Sequence, residues 1–234
     1  MGGPLYRPCT KRDLLVTAAV LLALVLWDMS GADLVLTRWF GKAQGFAWRS
    51  HFITAGVLHE GGRIVAWATT LALLVCALRG PAHTVSGAVL GLARTPGRQE
   101  RLYWWMVTLL CLLLVPAIKR SSATSCPWDL AEFGGSAHAV SHWLWGVADG
   151  GPGHCFPSGH AVAAFAFLSQ YFLWRPHQPQ RARAWLAAVL TAGLVFGLAQ
   201  LARGAHHASH SAWSGFLCWA VCLLASAWRP GRGR

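Results

Sequence analysis

The sequence predicts an all-α, polytopic membrane protein with about six transmembrane helices, and three observations carry that prediction. The chain is 55% hydrophobic and holds 14 Trp but only 12% charged residues, an apolar balance unusual for a soluble chain of 234 residues. Apolar segments recur along it at helical length. Its net charge of +12 is concentrated in alternate connections, as the positive-inside rule requires.

The expected spans run from Leu14 to about Leu36, Ile64 to Leu78, Tyr103 to Ile118, His160 to Trp174, Ala184 to Leu201 and Ala212 to Trp228. Several fall short of the roughly 20 residues that cross a bilayer, so flanking Trp, Tyr and Arg must complete them at the interfaces. Asp28 interrupts the first segment and leaves its end open. That segment lacks a small-residue cleavage site and reads as a retained span rather than a signal peptide. Six spans with both termini on one side is the simplest arrangement; a re-entrant segment in place of one span is the alternative. The whole chain, 1–234, reads as a single membrane-embedded unit without repeats, its short basic termini (1–12 and 229–234) cytoplasmic.

With the termini inside, the inner pieces hold Arg7, Lys11, Arg12, Arg79, Arg94, Arg98, Arg101, Arg175, Arg181, Arg183, Arg229, Arg232 and Arg234, thirteen of the 20 basic residues. Against them stand only Asp13 and Glu100. The basic excess therefore reports topology, and no nucleic-acid partner is needed to explain it. Gly80 to Arg101, an inner loop, carries no signature beyond positive charge. The first outer connection, about Thr37 to Arg63, contains HFITAGVLHEGGR, mixed enough to lie along the membrane surface as a partial helix. The second, Lys119 to Gly159, is rich in Gly, Ser and His. The third is the turn around RGAHHASH.

Among the cysteines, Cys76, Cys111, Cys218 and Cys222 fall in spans, where a small apolar residue is the plain reading, and Cys9 faces the cytoplasm. Only Cys126 and Cys155 share an outer loop. In an oxidising compartment they are expected to form a disulfide, tying the end of the third span to the start of the fourth; two free thiols are the alternative. No cysteine spacing resembles a zinc site.

The polar residues that carry chemistry gather at the outer mouths of the spans. Lys119 ends the third. Pro157, Ser158, Gly159 and His160 open the fourth. Arg203, His206, His207 and His210 join the fifth to the sixth. Ser158 and Gly159 stand where free backbone N–H groups hold an anion. Lys119 and Arg203 can neutralise phosphate oxygens. One imidazole can attack phosphorus while a second protonates the leaving oxygen, so neither a metal nor a cofactor is called for. His207 reads as a polar neighbour, His138, His142 and His154 as solvated loop residues, and Trp128 as an interfacial anchor beside Asp129, which caps a short helix.

These residues resemble the type-2 phosphatidic acid phosphatase superfamily in its integral membrane branch. That family has six spans and a three-part signature: Lys-x6-Arg-Pro, then Pro-Ser-Gly-His, then Ser-Arg-x5-His-x3-Asp. The second part is intact here as Pro157 to His160. The first reads Lys119, six residues, then Cys126-Pro127, with Cys for Arg. In QLARGAHHASH, His206 aligns with the catalytic His, Gln200 with the Arg and His210 with the Asp. Arg203, one helical turn beyond Gln200, can reach the same phosphate, and His210 can accept a hydrogen bond from His206.

The resemblance implies a membrane lipid phosphatase with His206, His160 and His210 catalytic and Lys119, Ser158, Gly159 and Arg203 binding substrate. It implies metal-independent hydrolysis of a phosphate monoester or pyrophosphate through a phosphohistidine. The lipid, by the same resemblance, is an undecaprenyl pyrophosphate, a phosphatidylglycerol phosphate, a phosphatidic acid or a lipid A. The expected location is a bacterial inner membrane with the site facing the periplasm. The expected partners are the bilayer and the lipid substrate; the residues say nothing of oligomeric state. The rivals are a lipid phosphotransferase using the same intermediate, and a non-catalytic protein that binds lipid or holds metal or haem at His206-x3-His210.

Overall fold

In the computed structural model, residues 10–79, 95–144 and 146–228 are described, so the expectations for both extreme termini and most of the inner loop lie outside them. Helix α1 (Lys11–Ser30) starts on a reciprocal cap in which the Thr10 hydroxyl accepts from the Asp13 N–H and the Asp13 carboxylate accepts from the Thr10 N–H at 2.8 Å. It stops at Gly31, and the chain turns into α2 (Ala32–Arg38). The expected first span is therefore two helices. A two-residue hairpin, β1 (Gly41–Lys42) and β2 (Gly45–Phe46), follows.

The stretch expected to lie along the surface instead begins the second span. Phe52–Gly61 is a π-helix continuous with α3 (Gly62–Arg79), giving one mainly apolar run of 28 residues. The cause is legible afterwards: FITAGVL supplies the extra turns that Ile64 to Leu78 lacked, and the ionisable residues between the two stretches are His59, Glu60 and Arg63. Then come α4 (Arg98–Arg120), α5 (Val162–Phe165), α6 (Leu168–Trp174), α7 (Pro179–Ala202) and α8 (Ala208–Trp228).

Among the described residues, five helices are long and apolar enough to cross a membrane. The sixth apolar segment, Val162–Trp174, is shorter. Its length is about 20 Å at 1.5 Å per residue, against roughly 30 Å of hydrocarbon. It is broken at Phe167 (φ −80°, ψ 2°) and packs against α4, α7 and α8. Most of its residues are buried, whereas α1 presents Leu14, Leu15, Leu22 and Leu26 outward. The short segment thus occupies the centre of the bundle, and the longer helices surround it.

That centre is built from Trp104, Val107, Cys111 and Val115 of α4, Val162, Phe172 and Leu173, and Cys218, Cys222 and Leu223 of α8. Lipid tails are as apolar as these side chains, so packing and hydrogen bonds hold the helices together. Thr108 and Ser169 share a 2.6 Å hydroxyl contact across α4 and α6, and the Tyr103 hydroxyl donates to the Ala225 carbonyl at 2.7 Å. One end of the bundle is clamped by Arg175, which grips Asp13 of α1 with both Nη atoms at 3.0 and 2.8 Å.

The opposite end is covered by the chain between α4 and α5. A small second core of Phe46, Leu130, Phe133 and Ala137 joins this cover to the hairpin. Short 3₁₀ turns at Pro127–Asp129 and Ala131–Phe133 shape it, and Asp129 accepts from the Cys126 N–H at 3.3 Å. Asp149 anchors the far side of the loop, accepting from the Ser125 N–H at 2.6 Å, the Ser125 hydroxyl at 2.8 Å and the Gly151 N–H at 3.0 Å. Asp149 is 3% exposed and Ser125 2%, so Asp149→Ala strands buried donors and should lower stability by about 3 kcal/mol. Thermal unfolding in detergent measures it, and Asp149→Asn, which keeps one acceptor oxygen, should lose less.

Candidate functional site

Five helix ends converge under this cover. The C-terminus of α4 brings Lys119, and the turn before α5 brings Ser158, Gly159 and His160. The C-terminus of α7 brings Gln200 and Arg203, and the start of α8 follows His206 and His207. The π-helix before α3 adds His59. Every site residue expected from the sequence lies at this end.

Lys119 and Gly159 lie side by side: a Cβ added at Gly159 would stand 3.3 Å from Lys119 Cδ and 4.0 Å from its Nζ. A larger residue there would displace the lysine stem, which is the local reason for glycine. Among the described residues, the Lys119 ammonium has no hydrogen-bond or ion-pair partner. The backbone N–H groups of Gly159 and His160 are likewise without partners. Ser158 is committed elsewhere. Its N–H donates to the His210 carbonyl at 3.0 Å, and its hydroxyl accepts from the Ala161 N–H at 3.3 Å. The following helix is only Val162–Phe165, so what this turn offers an anion is two free N–H groups and one ammonium rather than a helix dipole.

The imidazoles are oriented by carbonyls. His206 Nδ1 lies 2.9 Å from the Cys155 carbonyl oxygen, and His210 Nδ1 lies 3.0 Å from the same atom. A carbonyl only accepts, so both Nδ1 atoms carry protons and both Nε2 atoms carry lone pairs. The expected hydrogen bond from His206 to His210 is absent: their ring centroids are 5.9 Å apart, edge to face. His160 is held in the opposite tautomer, its Nε2 donating to the Leu58 carbonyl at 3.1 Å. Burial pushes the His206 proton affinity well below that of a free imidazole, and the nearby His210, Lys119 and His160 push the same way. Burial also takes His160 down to about 4, with His59, Arg203 and Arg63 adding to the effect while the Leu58 bond opposes it.

Cys126 and Cys155 are joined by a disulfide with Cα atoms 5.1 Å apart. The Cys155 N–H donates to the Thr124 carbonyl at 2.9 Å, so Cys155 is pinned on both sides of the carbonyl that orients the two rings. Cys155, His206 and His210 place ligand-type atoms within 4.8 Å of one another. The chemistry of that set does not suit an ion in this state: the sulfur is in a disulfide, and both Nδ1 atoms are protonated by their shared acceptor.

Arg203 stands where the sequence placed it, its Nε donating to the Arg49 carbonyl at 3.0 Å and its Nη1 to Gln200 Oε1 at 3.3 Å. Ahead of it, the turn into His206 requires a left-handed residue at Gly204 (φ 71°), where a Cβ would also strike the Phe46 ring.

Three residues escaped the sequence reading. His59 Nδ1 lies 3.1 Å from Gln200 Nε2, and its ring lies 4.4 Å from that of His160. Asp33 accepts from the Ser209 N–H at 3.0 Å and from the Ser209 hydroxyl, fixing the start of α8. Burial alone would raise the Asp33 carboxyl, but the neighbouring His207 and the Ser209 hydroxyl hold it below the ordinary carboxylate range. His142, expected to be a solvated loop residue, is stacked on Phe156 at 3.9 Å with its Nε2 3.3 Å from Asp28. The loop folds back over α8, which its composition did not reveal. His207 binds Thr37 Oγ1 at 2.8 Å, as a polar neighbour does.

Maleimide should leave Cys126 and Cys155 unlabelled until a reductant is added, as mass spectrometry of protein made with this face in an oxidising compartment would read. Two labelled residues before reduction would show free thiols.

Residues 100–234, more than half of the chain, match the family model described as the PAP2 superfamily. No curated protein and no solved structure matches the chain. Members of that family are phosphatases, and the chain is in that general sense a phosphoesterase.

Proposed function

Because this chain belongs to the PAP2 superfamily, we propose that it hydrolyses a phosphate monoester or pyrophosphate on a membrane lipid through a phosphohistidine at His206. The observation that carries the reading is the meeting, at one end of an apolar bundle, of three unengaged groups. These are the Lys119 ammonium, the Gly159 and His160 N–H groups and the Nε2 lone pair of His206. A headgroup would sit among them while its tail stays in the bilayer. A bacterial inner membrane with this end in the periplasm suits both the disulfide and the basic residues at the opposite end.

In the first step, His206 Nε2 gives its lone pair to phosphorus while the bond from phosphorus to the lipid oxygen breaks. The departing oxygen keeps that electron pair and takes a proton from His160. Because Nε2 of His160 is engaged by Leu58, the proton leaves from Nδ1. Lys119, Arg203 and the two N–H groups hold the non-bridging oxygens throughout, where charge stabilisation does most of the work. In the second step water attacks phosphorus, the phosphorus–nitrogen bond breaks back to His206, and His160 Nδ1 takes the water proton. Phosphate leaves and the starting state is restored. A lipid hydroxyl in place of water would make the reaction a transfer.

Phosphate release from a panel of phosphatidic acid, phosphatidylglycerol phosphate, undecaprenyl pyrophosphate and lipid A in detergent, with chelator present, tests the reading. His206→Ala should lower kcat by several orders of magnitude, as for any member of a unit acting together. Near-normal release from that variant would move the nucleophile elsewhere, and phosphate appearing on a labelled lipid acceptor would identify a transferase.

The pH profile tests His160. It must be protonated to act as the acid, and with a proton affinity near 4 the active form grows as the pH falls from 8 toward 5. His206 must be unprotonated, and its depressed affinity keeps it so over that range. The expected kcat/KM therefore peaks on the acid side of pH 6.5, and His160→Ala flattens the alkaline decline. A rate that rises through pH 7 to an alkaline plateau would remove His160 from the acid role.

A further inference from the structure

His59 lies outside residues 100–234 and outside all three signature segments, yet it is wired into the site through Gln200. The direction of that wiring can be deduced. Arg203 has only donors, so the Gln200 atom 3.3 Å from its Nη1 is the carbonyl oxygen. The other end of the Gln200 side chain, 3.1 Å from His59 Nδ1, is then the NH₂ group, which only donates. His59 Nδ1 must accept, and a neutral His59 carries its proton on Nε2. With Gln200 only 1% exposed, this arrangement has no solvent to rearrange it.

The Nε2–H so fixed is available. The nearest carboxylate oxygen, Glu60 Oε1, stands 3.6 Å away, beyond hydrogen-bond range, and Glu60 is engaged by Arg63 at 2.7 Å. The His59 side chain is 32% exposed, so a ligand can reach it. Its ring lies 4.4 Å from His160, while the carbonyl of the preceding residue, Leu58, holds His160 Nε2 at 3.1 Å. The π-helix thus presents one residue to orient His160 and the next to face the same space. Relative to the signature this chain resembles, that space lacks two guanidinium groups: Cys126 is in a disulfide and Gln200 is an amide.

We propose that His59 is a substrate-binding residue, its Nε2–H donating to a non-bridging phosphate oxygen, and that Gln200 occupies an arginine position in order to fix the His59 tautomer. The inference rests on the phosphoryl-transfer reading above. It assigns Gln200 an indirect part: Arg203 sets the amide, the amide sets the ring, and the ring meets the phosphate.

Two substitutions separate donation from packing. His59→Phe keeps a ring against His160 and removes the donor, whereas His59→Gln removes the ring and keeps an N–H near the Nε2 position. Phosphate release from short-chain phosphatidic acid in detergent should fall about 100-fold in His59→Phe and about tenfold less in His59→Gln, with matching thermal unfolding checked for both. In a Gln200→Arg background, where a guanidinium is restored, His59→Phe should cost less than it does alone. A milder loss in His59→Phe than in His59→Gln, or equal losses from His59→Phe in both backgrounds, would overturn the proposal. Titration with orthovanadate, a phosphate mimic, supplies a readout independent of turnover. Wild-type protein that binds vanadate but releases no phosphate would sink the hydrolase reading alone, while equal vanadate affinity in wild type and His59→Phe would sink the His59 proposal alone.

Discussion

The Cys155 carbonyl oxygen accepts from two imidazoles at once, His206 at 2.9 Å and His210 at 3.0 Å, and the geometry of the site depends on where that one atom stands. If it moved by an ångström, both rings would lose their tautomer and their aim together. Much of the surrounding structure acts to hold it. The disulfide to Cys126 fixes its side chain, and Thr124 holds its N–H. The Ser158 N–H and the Ser214 hydroxyl reach the His210 carbonyl from two directions, at 3.0 Å each. The Trp128 N–H reaches Gly204 at 2.9 Å, fixing the cover to the turn that carries His206. The Gly-, Ser- and His-rich loop is therefore fastened to the site at Cys126, Trp128 and Cys155.

A carbonyl in this role differs from a carboxylate. Both orient a histidine and select its tautomer, but only a carboxylate carries the full negative charge that stabilises an imidazolium. The nearby negative charge lies instead on Asp33, which faces His207 and the first turn of α8. Burial, with His210, Lys119 and His160 nearby, keeps His206 neutral, which suits the lone-pair role proposed for it. In the proposed reaction, positive charge developing on that ring would be offset by the phosphate of the substrate itself.

The bundle explains why the helix ends can meet. A segment too short to cross the bilayer sits at the centre, enclosed by α4, α7 and α8, and its N-terminal turn therefore begins at some depth below the cover. Longer helices around it bring Lys119, Arg203 and His206 down to the same level. Buried Thr108 and Ser169 at 2.6 Å secure the short segment against α4, a polar contact in surroundings where apolar packing alone gives little preference between partners.

Composition and pattern alone determined the membrane class, the approximate number of apolar helices, the gathering of Lys119, Ser158, Gly159, His160, Arg203 and His206 at one face, and the cysteine pair. These are local or near-local properties: apolar length, charge asymmetry between successive loops, and short motifs whose spacing survives folding. Tertiary structure decided the rest. It turned HFITAGVLHEGGR from a surface helix into the start of a span, because the mainly apolar FITAGVL extends the helix on the N-terminal side of Ile64. It brought Asp33 to Ser209 and His59 to Gln200 across 176 and 141 residues. It gave the Cys155 carbonyl, a group no side-chain motif records, the part that alignment assigned to His210. A backbone oxygen is present at every residue, so its use depends wholly on where the fold points it.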